Sequence, residues 1–122
     1  MPLLVRAFPV LAGLEEKARE VAREMQTTRS AEALEFYRRH GVSRESWHTQ
    51  NTPQGMWIIG VTEVSGKPLD IAAQDYAASQ HPFDRWLKDR VHELTGINPD
   101  VTPLGPPTEC IFDTDLVQPA RS

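Results

Sequence analysis

The order of apolar and polar positions divides the chain into short elements. Residues 3–11, Leu-Leu-Val-Arg-Ala-Phe-Pro-Val-Leu, are rich in large and β-branched apolar side chains and short enough for a strand. Pro9 has no N–H to donate, so pairing is expected to fail or bulge near it. After Ala12-Gly13 the period changes: Leu14, Ala18, Val21, Ala22 and Met25 recur at helical spacing, with charged residues between them. Thr27, Thr28, Arg29 and Ser30 interrupt that pattern. Ser30 suits the N-cap of a second segment over 31–40, which Gly41 would close. One bent helix and two abutting helices both satisfy this stretch.

Residues 42–50 and 56–64 read as two strands, with Asn-Thr-Pro-Gln-Gly over 51–55 as the turn of a hairpin. Pro68 suits the first turn of a helix over 69–78, with Leu69, Ala72, Ala73 and Tyr76 on one side. Pro82 restarts it, and Phe83, Trp86, Leu87, Val91 and Leu94 follow at core spacing up to Gly96. Residues 97–108 hold four prolines and no periodicity, so they read as an extended connector. A short final strand over 109–116 and a frayed tail over 117–122 complete the chain. The order is β-α-β-β-α-β. It predicts one α+β domain over 1–116, ferredoxin-like, with a four-stranded antiparallel sheet and its helices on one face.

The strand over 56–64 is apolar on both sides. Trp57, Ile59, Val61 and Glu63 share one face, while Met56, Ile58, Gly60, Thr62 and Val64 share the other. The first strand behaves alike. Near-continuous apolarity implies cover on both faces, and helices on one side supply only one. A second copy of the chain is the economical cover for the other, so the pattern predicts a homodimer through sheet faces.

Composition narrows the partners. The chain has 122 residues, with 13 Lys+Arg against 17 Asp+Glu and a formal charge of −4. That balance gives no basic footprint for nucleic acid. The single Cys110 excludes an intrachain disulfide or a CxxC site and reads as a small buried hydrophobe. No apolar run approaches the ~20 residues of a membrane span. The first residues carry no basic leader, which predicts a cytoplasmic protein with no membrane partner.

Two stretches carry a resemblance: His40-Gly41-Val42-Ser43-Arg44-Glu45-Ser46-Trp47 with Gln50-Asn51-Thr52-Pro53-Gln54-Gly55, and Ser79-Gln80-His81-Pro82-Phe83-Asp84-Arg85-Trp86-Leu87 with Glu93-Leu94-Thr95-Gly96-Ile97. Over residues 3–116 the chain resembles a family of small bacterial proteins with no assigned reaction. That family looks like part of the dimeric α+β barrel superfamily, which includes antibiotic-biosynthesis monooxygenase-like and stress-responsive proteins. The resemblance implies a ligand cavity between the sheet and the helices or the dimer mate, and no particular cofactor.

Candidate chemistry rests on a few side chains. A register pairing Gln50 near Met56 puts His48 on the face of Ile58 and Gly60, where it is a general base, a hydrogen-bonding group or a satisfied core or interface histidine. Glu63, within an apolar strand, becomes a base if its side is buried and is merely solvated at a strand end. His81 sits in the densest cluster, either as acid/base at a cavity mouth oriented by Asp84 or as an ordinary helix start. Trp47, Trp57, Tyr76, Phe83 and Trp86 read as an aromatic pocket for a planar ligand or as plain core. His40 fits a helix C-terminus, where the dipole favours a cation. His81 and His92 are too far apart along a helix to share a metal, and Asp113 and Asp115 share a face without a third ligand. No metal or other cofactor is predicted.

Two functions follow. The first is a homodimeric binder of a small apolar or aromatic molecule; as an enzyme it suits cofactor-independent oxygenation, isomerisation or decarboxylation. The second is a non-catalytic regulatory or partner-binding protein, with haem binding a distant third. A cavity touched by His48, Glu63 or His81 favours the first.

Overall fold

The computed structural model describes residues 3–116, so the tail read over 117–122 lies outside the described residues. The elements are β1 (Leu3–Pro9), α1 (Glu15–Gln26), α2 (Ser30–Arg39), β2 (Val42–Thr52), β3 (Gly55–Val64), α3 (Leu69–Ala78) and α4 (Pro82–Thr95), with a 3₁₀ turn at Thr114–Leu116. Two helices, not one bent one, precede β2. The backbone N–H groups of Thr27 and Arg29 both turn back to the Glu24 carbonyl, and Thr27 Oγ1 donates to the Arg23 carbonyl at 2.7 Å. The carbonyls at the end of α1 are thus satisfied without a further turn.

The sheet corrects the expected four-stranded, ferredoxin-like β-α-β-β-α-β order. It has three antiparallel strands in the order β1-β3-β2 and is accompanied by four helices. The missing strand is the one expected over 109–116. The chain does reach the free edge of β1, where Arg6 bridges Pro107, Thr108 N donates to the Val5 carbonyl, and Ala7 N donates to the Pro106 carbonyl. Pro106 and Pro107 have no N–H to give at that edge, so no ladder grows. Beyond Thr108 the segment leaves the sheet, with Ile111 87% and Phe112 71% exposed.

The register of β2 also differs from expectation. Gln50 faces Trp57, His48 faces Ile59 and Trp47 faces Gly60. The turn is two residues long, because Thr52 pairs with Gly55. A bulge between Val42 and Arg44 takes up the extra residue at the far end of the strand. A shift of one residue exchanges the two faces of a strand. Glu45 and Trp47 therefore point towards the helices, and His48 points away.

The helices bury much of what their spacing predicts, although Leu69, at the start of α3, is 38% exposed. Ala18, Val21 and Met25 of α1 and Ala33 and Phe36 of α2 are buried. On α4, Phe83, Leu87 and Leu94 form an apolar row beside a buried polar row of Asp84, Lys88 and Thr95. Each large apolar side chain so buried contributes roughly 1.5–3 kcal/mol. Gly96, at φ +78°, closes α4 in the left-handed conformation. Lys88 is fully buried because it has work at the end of α3. Its Nζ donates to the carbonyls of Tyr76, Ala77 and Ser79 at 2.9, 3.2 and 2.8 Å and pairs with Asp100 at 2.7 Å.

Candidate functional site

Between the sheet and the helices lies a cavity of about 130 Å³. Its floor is the inner face of the sheet: Leu4, Arg6 and Phe8 from β1, Glu45 and Trp47 from β2, and Ile58, Gly60, Thr62 and Val64 from β3. The helices roof it with Val21, Phe36, Tyr37, Ala73, Tyr76, Leu87 and Leu94, among others. The small inward residues of α3, Ala72 and Ala73, leave that side unfilled. The walls are chiefly apolar; apart from Tyr76, Arg90 and Thr95, the polar lining residues belong to two hydrogen-bonded clusters, the second of which reaches the cavity through His40.

The first is centred on Glu45. Its Oε1 accepts from Arg6 Nη2 at 3.2 Å and Thr62 Oγ1 at 2.8 Å, and its Oε2 accepts from Trp47 Nε1 at 2.8 Å and from the Tyr37 hydroxyl. All four lone-pair directions of the carboxylate are thereby engaged. Arg6 Nη2 also approaches Thr62 Oγ1 at 3.0 Å. Burial, reinforced by Glu45, pushes the Tyr37 phenol well above its ordinary pKa, so Tyr37 remains a donor. Burial raises Tyr76 in the same way, again with help from Glu45.

The second is centred on Asp84, which is fully buried. Arg39 grips it with both terminal nitrogens at 2.8 and 2.9 Å, Ser79 Oγ donates at 2.6 Å, and His40 Nε2 lies 2.9 Å from Oδ2. Burial would raise the Asp84 pKa, but the bonds from Arg39, Ser79 and His40 outweigh it and hold the carboxyl well below the usual range. Hydrogen bonds to Asp84 and Glu35 raise Arg39 in turn. His40 lines the cavity.

Three buried side-chain nitrogens of described residues have no hydrogen-bond partner: Arg6 Nε, His40 Nδ1 and Arg90 Nε. All three belong to cavity-lining residues. Arg90 Nε still lies 3.2 Å from Glu93 Oε2 in an ion pair. Outside the cavity a broader groove of about 1000 Å³ runs along α1, α2 and the start of β2. Tyr37, Val42, Glu45 and Trp47 line both spaces and form the wall between them.

Of the residues singled out from sequence, Trp47 and Tyr76 line the cavity. Phe83 is core, 1% exposed, and Trp86 packs beside it beneath Arg29, whose guanidinium sits 4.2 Å from the ring centroid. Trp57 and Glu63 lie on the outer face of the sheet, opposite Pro9 and Leu3. His48 is exposed on the same face and hydrogen-bonded to Ser46 Oγ at 3.0 Å. His81 caps α4, its Nδ1 accepting from Phe83 N at 3.2 Å, 3.8 Å from Asp84. None of His48, Glu63 and His81 lines the cavity. Cys110 is exposed rather than buried. Asp113 and Asp115 lie at the 3₁₀ turn, where Asp115 N donates to Asp113 Oδ1.

Sequence reasoning passed over Arg6, Glu45 and His40. Arg6 left a signal, since strand alternation puts it on one side with Leu4 and Phe8. Glu45 left none without the hairpin register, and His40 has an ordinary reading at a helix end.

Among the described residues no helix is long and apolar enough to cross a membrane, and no group of three or more His, Cys, Asp or Glu is placed to hold a metal. No protein-family model, curated protein or solved structure matches the chain.

Proposed function

We propose that this chain binds a compact, mainly apolar or aromatic molecule in the cavity between sheet and helices, and that it does so as a homodimer. The observation that carries the binding reading is an apolar space with a fixed polar wall. Apolar cavities of about 150 Å³ take up benzene. A space of about 130 Å³ suits one ring or a short aliphatic chain, with the Glu45 group setting polarity at one wall. Because every acceptor direction of Glu45 is occupied, its role is to orient Arg6, Tyr37 and Trp47 rather than to abstract a proton. Binding without turnover is the reading this favours.

The dimer reading is supported by the outer sheet face. Val5, Ala7, Trp57, Ile59 and Val61 form adjacent rows there, half-buried and not covered by the helices, and Leu3 is 56% exposed. Patches of this kind are uncommon on monomers.

Titration with benzene and toluene, followed by methyl NMR, tests the first part. Saturable shifts are expected at Leu4, Ile58, Val64 and Leu87, and should be lost in Ala73→Leu, which fills the space. Their absence up to the solubility limit sinks the binding reading. Sedimentation equilibrium at micromolar concentration tests the second: a 13.8 kDa species overturns the dimer, and Ile59→Lys should produce that species from it.

A further inference from the structure

His40 is better placed than a helix cap requires. Its side chain is 8% exposed and held between Phe36 and Tyr76, with ring centroids 4.8 and 5.7 Å away. Asp84 fixes its tautomer. A carboxylate 2.9 Å from Nε2 needs a proton between them, so Nε2 carries the hydrogen. Arg39 Nη1, 3.2 Å from the same nitrogen, would compete only for a bare lone pair. In the neutral ring Nδ1 is then the acceptor. Nδ1 is buried and has no partner among the described residues. The imidazole thus borders the cavity with one nitrogen committed and the other unsatisfied, and a buried acceptor in that condition is destabilising until something donates to it.

We infer that the cavity takes a compact hydroxylated aromatic molecule of phenol size, whose hydroxyl donates to His40 Nδ1. The inference rests on the binding reading above and adds the ligand's chemical class. The size follows from the volume, and the ring from the aromatic surround of Phe36, Tyr37 and Tyr76. The hydroxyl follows from His40, with Asp84 as a positioning residue that holds the imidazole by Nε2.

Phenol and benzene, titrated into the wild type and His40→Phe, separate the terms. The substitution keeps an aromatic ring between Phe36 and Tyr76 and leaves Asp84 its bonds from Arg39 and Ser79. Phenol affinity is expected to fall roughly tenfold or more, as for a buried hydroxyl deprived of its acceptor, while benzene changes little. Equal changes for the two probes overturn the inference and leave the cavity reading standing. If neither probe binds the wild type, both readings fall together. Should His40→Phe not fold, ¹⁵N spectra of the wild-type histidine decide the matter. An Nε2–H tautomer whose Nδ1 resonance moves with phenol and not with benzene supports the inference. A proton on Nδ1 in the free protein, or an Nδ1 resonance indifferent to phenol, overturns it.

Discussion

Replacing Asp84 by Asn tests the polar cluster that joins α2, α3 and α4. The carboxylate receives Arg39 twice, Ser79 once and His40 once, from a position with no exposure. An amide of the same shape offers one acceptor oxygen, and its NH₂ must face donors. With the NH₂ at the Oδ1 position one donor, Arg39 Nη2, loses its acceptor; at the Oδ2 position Arg39 Nη1, Ser79 and His40 do. Arg39, 30% exposed, can turn to Glu35 and water, whereas His40 is buried and has less recourse. The loss is about 3 kcal/mol, the lower end for one member removed from a buried pair. With a urea slope of roughly 1.5 kcal/mol per M, the unfolding midpoint at pH 7 should fall by about 2 M. The pH dependence gives a second check. A carboxyl held below its unfolded pKa of about 3.9 contributes its full stability above that pH and loses it as the pH falls further. The gap between wild type and Asp84→Asn should therefore narrow by about 1 kcal/mol from pH 5 to pH 3. The depressed carboxyls of Asp75 and Asp100 act in both proteins and cancel in the difference, whereas Glu35, lowered by its bonds from the same Arg39, does not cancel, so the comparison is repeated in a Glu35→Gln background. A gap under about 1 kcal/mol at pH 7, or one that does not move between pH 5 and pH 3, would refute the reasoning.

Two further substitutions probe the frame. Lys88→Met keeps the buried stem but removes the donor to three carbonyls at the end of α3, so stability should fall by about 2–4 kcal/mol; hydrogen exchange should accelerate across α3, and a change under 1 kcal/mol on urea unfolding would count against the capping role. Gly105→Ala places a Cβ 2.4 Å from the Phe8 ring at a φ of +68°. A cost of about 2 kcal/mol or more is expected on thermal unfolding, and Phe8→Leu should recover part of it; no loss would mean that Phe8 does not pack on Gly105 as described.

Much of the frame was legible because period and punctuation agree locally. Val21 and Met25, Ala72, and Phe83 and Leu87 show their inward sides by spacing alone, and Pro82 and Gly96 mark the ends of α4. The final strand was misread because alternation over 109–116 says nothing about whether an edge is ready to receive it. The neighbouring prolines decide that, through donors they lack. The site was less legible than the frame, for a related reason. Which side of β2 faces inward depends on the hairpin register, and the five residues over 51–55 do not show that the turn closes on two residues with Thr52 opposite Gly55. That register turns His48 outward and brings Glu45 and Trp47 in. It therefore exchanged the residues that looked chemical for those that meet the cavity.

The two polar clusters also explain one another. A carboxylate withdrawn from water is costly unless donors surround it, and both Glu45 and Asp84 are surrounded by donors from this chain alone. Neither needs a ligand for its own satisfaction. What the clusters leave unsatisfied is different in kind: Arg6 Nε, a donor, held by its bond to Glu45, and His40 Nδ1, an acceptor, held by Asp84. A hydroxyl is both acceptor and donor. The carboxylates thus act as fixed supports, and the hydroxyl of the proposed ligand would donate to His40 Nδ1, the acceptor that Asp84 leaves open.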